Sequence, residues 1–561
     1  MLDSEPLLSS PAHNATTTST SSAAITDQPR RITGYTEESS QVQTANSTDS
    51  VAPFDVADQR PRSTAADSRR HQLYFRRVHL SACAGSVTMP RPGARLLLAI
   101  VLVAFGVSTP FGFYLTVINI PEHMFEQFVN ESFHAEHGQY LSVPAQKTIW
   151  SFIAASFTLG GAIGGLIAAP FAERLGRKYS ILVISALTVV GAALFALCSV
   201  WRSFELFTVA RIVVGVSSGF GSSLLCIYLS EISPVELRGF AGAFQEVFIV
   251  TGRLIGVLAS MPHVLGSTDR WPILMALPVL CSLLLFLVTR SIEFYHGEMA
   301  NSQEVLVHID KEISMVQSQL GLTDVLRSSR CRRSLWLALV VRAAQEVTGV
   351  TVIANFSTSL FSRLNFSDDF AAYNTVGIAV LLVIVTLLAV FNVERLGRRP
   401  LLIYGLVGTL IVMALFMVCG LFVQYFAWDW AGYICILAFY VHVVIFGSGP
   451  GPIGWIIVPE LAPQQARSAI TSAGVFVNWT VNLLSTAVFL PLTTALSYYS
   501  FMFLIVPLFA GILYLAMLLP ETKNRPVEDI FEEIEHSERK QRVLILPTDE
   551  LLANSEPKAS L

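Results

Sequence analysis

The sequence predicts an all-α membrane protein with twelve transmembrane helices, arranged as two pseudo-symmetric six-helix bundles. Of its 561 residues, 53% are hydrophobic and 14% charged, with a mean hydropathy of +0.56, whereas soluble chains carry about 25% charged residues. The apolar residues form twelve runs, each long enough to cross a bilayer. The phrase ERLGR occurs twice, from Glu173 and from Glu394, which indicates an internal duplication.

Each predicted span holds the roughly 20 mostly apolar residues that a membrane helix needs. The twelve spans are 94–118, 148–171, 179–200, 205–228, 239–262, 271–290, 334–362, 370–393, 400–423, 430–457, 467–490 and 499–519. A polar stretch separates the sixth span from the seventh and contains EVLVHIDKEISMVQSQL. Its helical apolar spacing predicts short amphipathic helices at the membrane surface.

These segments divide the chain into five regions. The N-terminal region is rich in Ser, Thr, Ala and Asp with almost no apolar periodicity, which predicts a disordered tail. It lacks the basic-then-apolar order of a signal peptide. The regions are a cytosolic tail 1–92, an N-terminal bundle 93–290, a cytosolic helical linker 291–333, a C-terminal bundle 334–520 and a cytosolic tail 521–561.

Positive charges predict the orientation. Lys and Arg gather after spans two, four and eight and before span seven, so these loops and both termini are expected in the cytosol. The loop 121–147 is rich in glutamate and falls on the other side. It contains Asn130-Glu131-Ser132, a predicted glycosylation site, and Asn365 begins a second sequon.

Each ERLGR phrase joins the second and third spans of its half. An Arg-rich turn of this kind, anchored beside a glutamate or a helix end, is expected to hold neighbouring helices together at the cytosolic face. Glu231 and Arg238 follow span four, and Glu460 and Arg467 are placed in the same way after span ten. The small-residue run TLGGAIGGLIAAP in span two predicts close helix packing.

Further phrases complete the pattern: RIVVGVSSGF from Arg211, SEISPVELRG from Ser230, VPELAPQQARS from Val458 and PETKNRPVEDI from Pro520. As a set they resemble the sugar-porter branch of the major facilitator superfamily, and most closely the facilitative hexose transporters, over about residues 94–535. The resemblance implies a rocker-switch transporter with its site between the bundles near the membrane midplane.

The resemblance also implies that the charged phrases tie helices together in the outward-facing state and part when the cytosolic side opens. The predicted latch residues are Glu173, Arg174, Arg177, Arg211, Glu231, Arg238, Glu394, Arg395, Arg398, Arg399, Glu460 and Arg467. The family's Pro-Glu-Ser-Pro-Arg phrase after span six is missing. The chain reads TRSIEFYHG there, and only Glu293 is a partial substitute.

Span ten contains GSGPGPIGWIIVPE from Gly447, which predicts a break in the helix. Proline removes a backbone donor, and broken membrane helices are tolerated where protein or a water-filled cavity covers them, often at a transporter's binding site. A packing kink is the alternative. Trp455 follows the break, and in the resembling family a tryptophan at this place packs against the sugar.

Span eleven places two amides, Asn478 and Asn482, on one helical face because they are four residues apart. Amides both donate and accept hydrogen bonds, which fits the recognition of hydroxyl groups. Interhelical hydrogen bonding is the alternative. Trp479 matches another aromatic residue of the family site.

Spans five and seven depart from the family pattern at its sugar contacts. The resembling hexose transporters carry a Gln-Gln pair in span seven, where this chain has Gln345 and Glu346, and an asparagine where it has Thr351. In span five the family's glutamine becomes Glu246, preceded by Gln245. The resemblance therefore implies a related pocket with altered contacts.

The two acids in the spans have two interpretations. A charge at the centre of a span costs roughly 2.5–3.5 kcal/mol on insertion scales. Arg342 lies one turn before Glu346, and Arg253 lies two turns after Glu246 on the same face, so internal ion pairs, within or across spans five and seven, are one interpretation. The other is a polar cavity whose charges select the substrate or take up a proton.

The leading hypothesis is facilitative transport of a hexose or related polyol. Proton-coupled sugar porters carry an acid in the first span, where this chain has Tyr114, and this favours passive uniport. The alternatives are a proton-coupled carrier of a polyol or small organic acid that uses Glu246 or Glu346, and a non-transporting nutrient sensor. No nucleophile–base set, metal cluster or basic excess is present in the sequence, so no enzyme, cofactor, metal or nucleic-acid partner is predicted.

The extreme N-terminus reads MLDSEPLLSS, in which Asp3 and the pair Leu7-Leu8 fit an acidic dileucine sorting signal. Such signals are read by cytosolic adaptors. The sequence therefore predicts a plasma-membrane protein and leaves residence in endosomes or lysosomes open.

Overall fold

The computed structural model describes residues 94–233, 237–287, 319–353, 367–426, 428–527 and 529–534. Helices α1 to α6 are Ala94–Thr116, Glu122–His137, Val143–Trp201, Phe204–Ile232, Arg238–Ala259 and Trp271–Ala276. Helices α7 to α14 are Leu322–Arg327, Ser329–Glu346, Asp368–Leu396, Arg398–Phe426, Asp429–Ser448, Pro450–Leu461, Arg467–Leu496 and Met502–Leu518. Two 3₁₀ turns, Gln464–Ala466 and Ser497–Phe501, precede α13 and α14.

The helices account for the twelve predicted spans. In the described ranges, ten segments are long and apolar enough to cross a membrane, judged by length and composition. One of them, the 59-residue α3, is kinked at Gly176 and supplies two crossings. The shorter apolar segment Trp271–Leu287, which includes α6, lies where the sequence predicts span six.

The two ERLGR phrases adopt the same turn. Gly176 has φ 75° and ψ 170°, and Gly397, at the equivalent place in the second half, has φ 92° and ψ 162°. This region of backbone space is essentially restricted to glycine. The repeated phrase therefore encodes a repeated backbone conformation, and we call the end of the bundles that contains both turns the ERLGR end.

Helices of the first half pack directly on helices of the second half. Helix α5 packs against α9 and α12, and α13 packs against α3 and α4. Two tryptophans of the second half, Trp455 and Trp479, are buried in a hydrophobic cluster built mainly from first-half residues. Apolar burial thus continues across the boundary between the halves.

The predicted small-residue packing of span two is confirmed, and it serves two neighbours. A Cβ added to Gly160 would lie 2.1 Å from the carbonyl oxygen of Ile212 on α4, so these helix backbones are in contact. The next residue faces the other half: a Cβ on Gly161 would lie 2.1 Å from Cε3 of Trp479. The glycines therefore set how closely α3 approaches both α4 and α13.

The predicted break in span ten is present. Helix α11 ends at Ser448, α12 begins at Pro450, and Gly449 between them has φ −138° and ψ −83°. A Cβ on Gly449 would lie 2.5 Å from the carbonyl oxygen of Leu401, so the break also lets α10 approach closely.

A second break, in span seven, was not anticipated from the sequence. Helix α8 ends at Glu346, Gly349 has φ 81°, and helical structure resumes at 350–353. Glu346, one of the predicted substrate residues, therefore lies at a helix end inside the protein. The Thr-Gly pair before the second helical segment is the local signal that the sequence offered.

Several predictions fall outside the described residues. These are the tail 1–92 with the Leu7-Leu8 signal, the substitute Glu293, the sequon at Asn365 and most of the linker sequence EVLVHIDKEISMVQSQL. Within the described ranges, α8 begins at Ser329, capped by the hydroxyl of Ser328, which accepts from the Cys331 amide. The seventh span therefore starts before the predicted end of the linker at 333.

Candidate functional site

The nine residues predicted to contact substrate are all buried, each with at most 8% of its surface exposed. They lie on α5 of the first half and on α8, the helical segment 350–353, α12 and α13 of the second half. The nine are Gln245, Glu246, Gln345, Glu346, Thr351, Trp455, Asn478, Trp479 and Asn482.

Trp455 connects the two halves. Its indole Nε1 donates a 2.8 Å hydrogen bond to Glu246 Oε2 on α5. The guanidinium of Arg342 lies over the indole, with Cζ 3.6 Å from the ring centroid, which is a cation–π contact. The ring of Phe111 on α1 packs edge-on at a centroid distance of 6.3 Å. A polar contact between the halves thus lies at a place shielded from solvent.

Gln345 is held through both the oxygen and the nitrogen of its side-chain amide. Its Oε1 accepts a short hydrogen bond from Arg342 Nη1, and its Nε2 donates to the carbonyl of Gly451 at 2.8 Å. A Cβ on Gly454 would lie 2.3 Å from Gln345 Oε1. The glycines of span ten therefore make room for this side chain as well as breaking the helix.

Glu346 is the end of a chain of hydrogen bonds between spans seven and eleven. Its Oε1 accepts from Asn478 Nδ2 at 2.9 Å, and its Oε2 accepts from Thr351 Oγ1 at 2.7 Å. Asn482 Nδ2 donates to Thr351 Oγ1 at 3.3 Å, and Asn482 Oδ1 accepts from Thr486 Oγ1 at 3.3 Å. In this conformation the two amides of span eleven make interhelical hydrogen bonds.

Trp479 lies between the halves in an aromatic pocket. Its ring centroid is 4.7 Å from that of Phe111 and 5.5 Å from that of Phe157. Its Nε1 donates to Ser222 Oγ on α4 at 3.3 Å. The bare backbone of Gly161 leaves room for the indole, so this residue seals the boundary between α13 and the first half.

Gln245 faces a different neighbour from Glu246. Its Nε2 donates to the Ser222 carbonyl at 3.1 Å, and its Oε1 accepts from the thiol of Cys226 at 3.1 Å. The same thiol lies 3.8 Å from the carbonyl oxygen of Trp455. Ser222 and Cys226 are not predicted from the sequence, in which their only signal is a run of small residues in span four.

Glu246 and Glu346 form no direct ion pair with Arg253 or Arg342 in the described ranges. Glu246 accepts from an indole, and Glu346 accepts from an amide and a hydroxyl. Glu246 does interact electrostatically with Arg253 and Arg342. The four side chains therefore form a charge cluster in which the nearest hydrogen-bond partners of the acids are neutral.

The predicted latch residues of the second half form a network of charged side chains at the ERLGR end. Arg398 donates to both oxygens of Glu394 at 2.9 Å and contacts Glu460 Oε1 at 3.4 Å. All three are buried. A Cβ on Gly239, the second residue of α5, would lie 2.1 Å from Arg398 Nη2. The network therefore presses against the start of a first-half helix.

The segment after span twelve completes this network. Glu521 Oε1 accepts from the Arg398 amide at 2.9 Å, and Oε2 accepts from the Arg399 amide at 3.1 Å, a carboxylate at a helix N-terminus. Thr522 Oγ1 donates to Glu460 Oε2 at 2.5 Å. The PETKNR phrase thus fastens the last span to the turn before α10.

The first-half latch is simpler. Arg177 donates from Nη2 and Nε to Glu231 at 2.7 Å and 3.0 Å, and from Nη1 to the Ala172 carbonyl. Glu173 and Arg174 are exposed. The glutamate of the phrase is therefore paired with arginine in the second half but lies in solvent contact in the first.

Arg211 does not belong to the latch. It lies 20 residues before Glu231 on α4, which places it about 30 Å away along the helix, toward the opposite end. It is buried and donates to the carbonyls of Ile153 and Ala154 at 3.1 Å. The motif that contains Arg211 lies at the start of span four, whereas the other predicted latch residues follow a span on the ERLGR side.

The remaining latch residues are peripheral to the paired groups. Arg238 interacts electrostatically with Glu460, so it reaches from the first half toward the second. Arg399 Nη2 donates to the Ala516 carbonyl at 2.9 Å. The Arg395 carbonyl accepts from Lys523 Nζ at 2.9 Å. Arg467 is buried at the start of α13.

Tyr114 occupies the place where the resembling proton-coupled porters carry an acid. It is buried, and its hydroxyl donates to the carbonyl of Met275 at 3.0 Å. The phenol thus ties span one to span six.

The predicted glycosylation site lies in a folded helix. Asn130 belongs to α2, is half-buried, and accepts the Leu141 amide on Oδ1 at 2.9 Å. The sequon's Ser132 is buried, and its hydroxyl accepts from the Phe204 amide at 3.1 Å. The side chains of Asn130 and Ser132 are therefore both hydrogen-bonded to other parts of the fold.

Comparison with known proteins identifies the family. A sequence model described as "Sugar (and other) transporter" matches residues 99–534. The chain belongs to this family. As a member it is a multi-pass integral membrane protein that transports small molecules and is not an enzyme. Its fold is that of the major facilitator proteins.

Curated relatives and solved structures agree. The chain is 31% identical over 473 residues to the bovine facilitated glucose transporter member 4 of solute carrier family 2, covering 80% of this chain and 92% of the relative. It is 29% identical to facilitated glucose transporter protein 1 of Caenorhabditis elegans over 471 residues, covering 79% and 92%. The proton:xylose symporter XylE with bound 6-bromo-6-deoxy-D-glucose has the same fold, with a TM-score of 0.63 at 22% identity over 78% of this chain and 99% of that one.

Proposed function

We propose that the protein transports a hexose or related polyol passively by alternating access. The observation that carries this proposal is the buried hydrogen bond from Trp455 to Glu246, because it places a candidate sugar-binding ring at the boundary between the halves. Curated relatives named as facilitated glucose transporters support the substrate class. The lack of an acid at the Tyr114 position supports uniport.

In the proposed transport cycle, two sets of contacts between the halves must break. Opening toward the ERLGR end separates Gly239 from the Arg398 network, and opening the path through the centre separates Trp455 from Glu246. A sugar hydroxyl that donates to Glu246 replaces the indole N–H, so bound sugar lowers the cost of breaking that contact. The aromatic surfaces of Trp455 and Trp479 suit the apolar face of a hexose ring.

Uptake of labelled hexoses and polyols into proteoliposomes tests the proposal. We expect saturable uptake that is unchanged by a protonophore, and strongly reduced uptake by Trp455→Ala and Gln345→Ala at equal protein incorporation. Trp428→Ala, at an exposed aromatic residue, is the matched control. Normal uptake by both site variants would place the site elsewhere.

A proton-coupled carrier is the second candidate, and a specific observation favours it. Glu246 Oε1 is buried without a hydrogen-bond partner in the described ranges. Protonation of this oxygen would therefore not displace an existing hydrogen-bond donor. Uptake that rises at acid outside pH, collapses with a protonophore and loses both responses in Glu246→Gln would establish coupling.

The same proposal includes the cellular setting. The ERLGR end and both termini face the cytosol, and the first outer loop carries glycan at Asn130. The protein resides in the plasma membrane, and adaptors that bind Leu7-Leu8 direct part of it to endosomes or lysosomes. Surface biotinylation of the Leu7→Ala, Leu8→Ala double variant tests the sorting step, with a larger surface fraction expected.

A further inference from the structure

Arg342 is a buried arginine at the centre of the site with half of its guanidinium committed. It is 1% exposed. Its Nη1 donates to Gln345 Oε1, and its guanidinium carbon lies over the Trp455 ring. Its Nε and Nη2 have no hydrogen-bond partner among the residues that the structure describes. Buried donors of this kind call for a partner.

The two uncommitted nitrogens are the pair that recognises carboxylates side-on. Nε–H and the adjacent Nη2–H project from the same edge of the planar guanidinium and match the two oxygens of a carboxylate. Nη1, on the other edge, is held by Gln345, which fixes the direction in which the free edge points. A single sugar hydroxyl cannot satisfy this edge as fully as a carboxylate does.

In the described ranges, the charge cluster around Arg342 has more unpartnered hydrogen-bond donors than unpartnered acceptors. Arg253 Nε and Nη1 are also buried without hydrogen-bond partners in the described ranges, whereas Glu246 Oε1 is the unpartnered acceptor of the cluster. Glu246 interacts electrostatically with both arginines. Four buried nitrogens and one buried oxygen of this cluster thus have no hydrogen-bond partner among the described residues, and this excess of donors favours an acceptor-rich ligand over a neutral polyol.

We propose that the preferred substrate is an acidic sugar, such as a hexuronate, whose carboxylate binds the Nε–Nη2 edge of Arg342. A hydroxyl of the same sugar donates to Glu246 Oε1. Both oxygens of Glu346 already accept hydrogen bonds from Thr351 and Asn478, so this acid does not offer a free acceptor to the sugar. This inference rests on the proposed function, since it names which sugar the central site takes.

Parallel uptake of labelled glucuronate and glucose into proteoliposomes tests the inference. We expect glucuronate to be carried in preference to glucose, and the ratio of glucuronate to glucose uptake to fall about tenfold or more in Arg342→Lys, which keeps the charge and loses the fork. Arg211→Lys, at a buried arginine outside the site, is the matched control and should keep the wild-type ratio. Thermal stabilisation of the purified wild-type protein by glucuronate gives a second readout.

The outcomes separate this inference from the proposed function. Glucose uptake with no glucuronate uptake, no inhibition by glucuronate and no stabilisation overturns the acidic-sugar inference and leaves the proposed function standing. An unchanged uptake ratio in Arg342→Lys also overturns it. If the folded protein takes up no hexose, polyol or acidic sugar, both the acidic-sugar inference and the proposed function are overturned.

Discussion

At the residue scale, the site is a set of side chains from both halves that bond to one another but leave one edge of Arg342 and Oε1 of Glu246 without hydrogen-bond partners in the described ranges. Trp455 and Glu246 are bonded across the boundary, and Gln345 and Arg342 are bonded within the second half. Each of these groups offers a donor or acceptor that a sugar hydroxyl or carboxylate competes for. In the proposed site, substrate binding is an exchange of hydrogen bonds, which keeps the cost of opening the buried site low.

The indole N–H of Trp455 can be removed separately from its ring. Trp455→Phe keeps an aromatic surface but leaves Glu246 Oε2 without its donor. We expect roughly tenfold slower sugar uptake, because the closed state of the two halves loses a hydrogen bond to a charged group, which contributes about 1.5–3 kcal/mol. Trp455→Ala should lose further activity. Initial uptake rates at equal incorporation measure both, and equal activity of Trp455→Phe and wild type would contradict a role for the N–H.

At the element scale, composition and the repeated phrase predicted the helices and the duplication well. The Gly-Pro run located the break in span ten because glycine and proline act on the backbone locally. The break before Gly349 was missed because a single glycine with positive φ leaves a weak local signal. Arg211 was misplaced because a motif does not state which end of its helix it occupies, and the partners Ser222 and Cys226 depend on tertiary packing that one sequence does not reveal.

The two turns of the ERLGR phrases predict an asymmetric effect of alanine. Gly176 and Gly397 have positive φ, but only Gly397 is crowded: its added Cβ would lie 2.8 Å from Glu521 Oε2. We expect both alanine variants to be strained by about 1–3 kcal/mol, with Gly397→Ala unfolding at the lower temperature. Gly321→Ala, at φ −67° with no atom closer than 3.5 Å, is the control.

Thermal unfolding in detergent measures this difference. If Gly176→Ala and Gly397→Ala unfold at the wild-type temperature, the shared turn does not require glycine. If the two variants lower the unfolding temperature equally, the close approach of the added Cβ at position 397 to Glu521 has no effect on stability.

At the scale of the whole molecule, the halves are held at two levels. The Arg398 network meets α5 at the ERLGR end, and Trp455, Trp479 and their partners meet the first half nearer the centre. Burial is continuous between these levels. Under the proposed mechanism, alternating access requires both levels to separate in turn, and the charged network sets the balance between the states without contacting the sugar.

Variants of two neighbouring arginines in the second ERLGR turn distinguish an effect on the balance between conformational states from an effect on general stability. Arg398→Gln removes the pairs with Glu394 and Glu460, whereas Arg399→Gln removes one contact with the Ala516 carbonyl. We expect Arg398→Gln to favour the state that is open at the ERLGR end and to change exchange kinetics more than sugar affinity. Arg399→Gln should change them less. Equal exchange kinetics in the two variants would count against the network as a latch.

The most direct test is the distance between spin labels at Arg174→Cys and Arg395→Cys, two exposed, equivalent positions of the repeat, in protein reconstituted into lipid. Alternating access predicts a short and a long distance, whose populations shift when the transported sugar is added, and an increase of the long one in Arg398→Gln. A single distance that neither sugar nor Arg398→Gln changes would contradict the account.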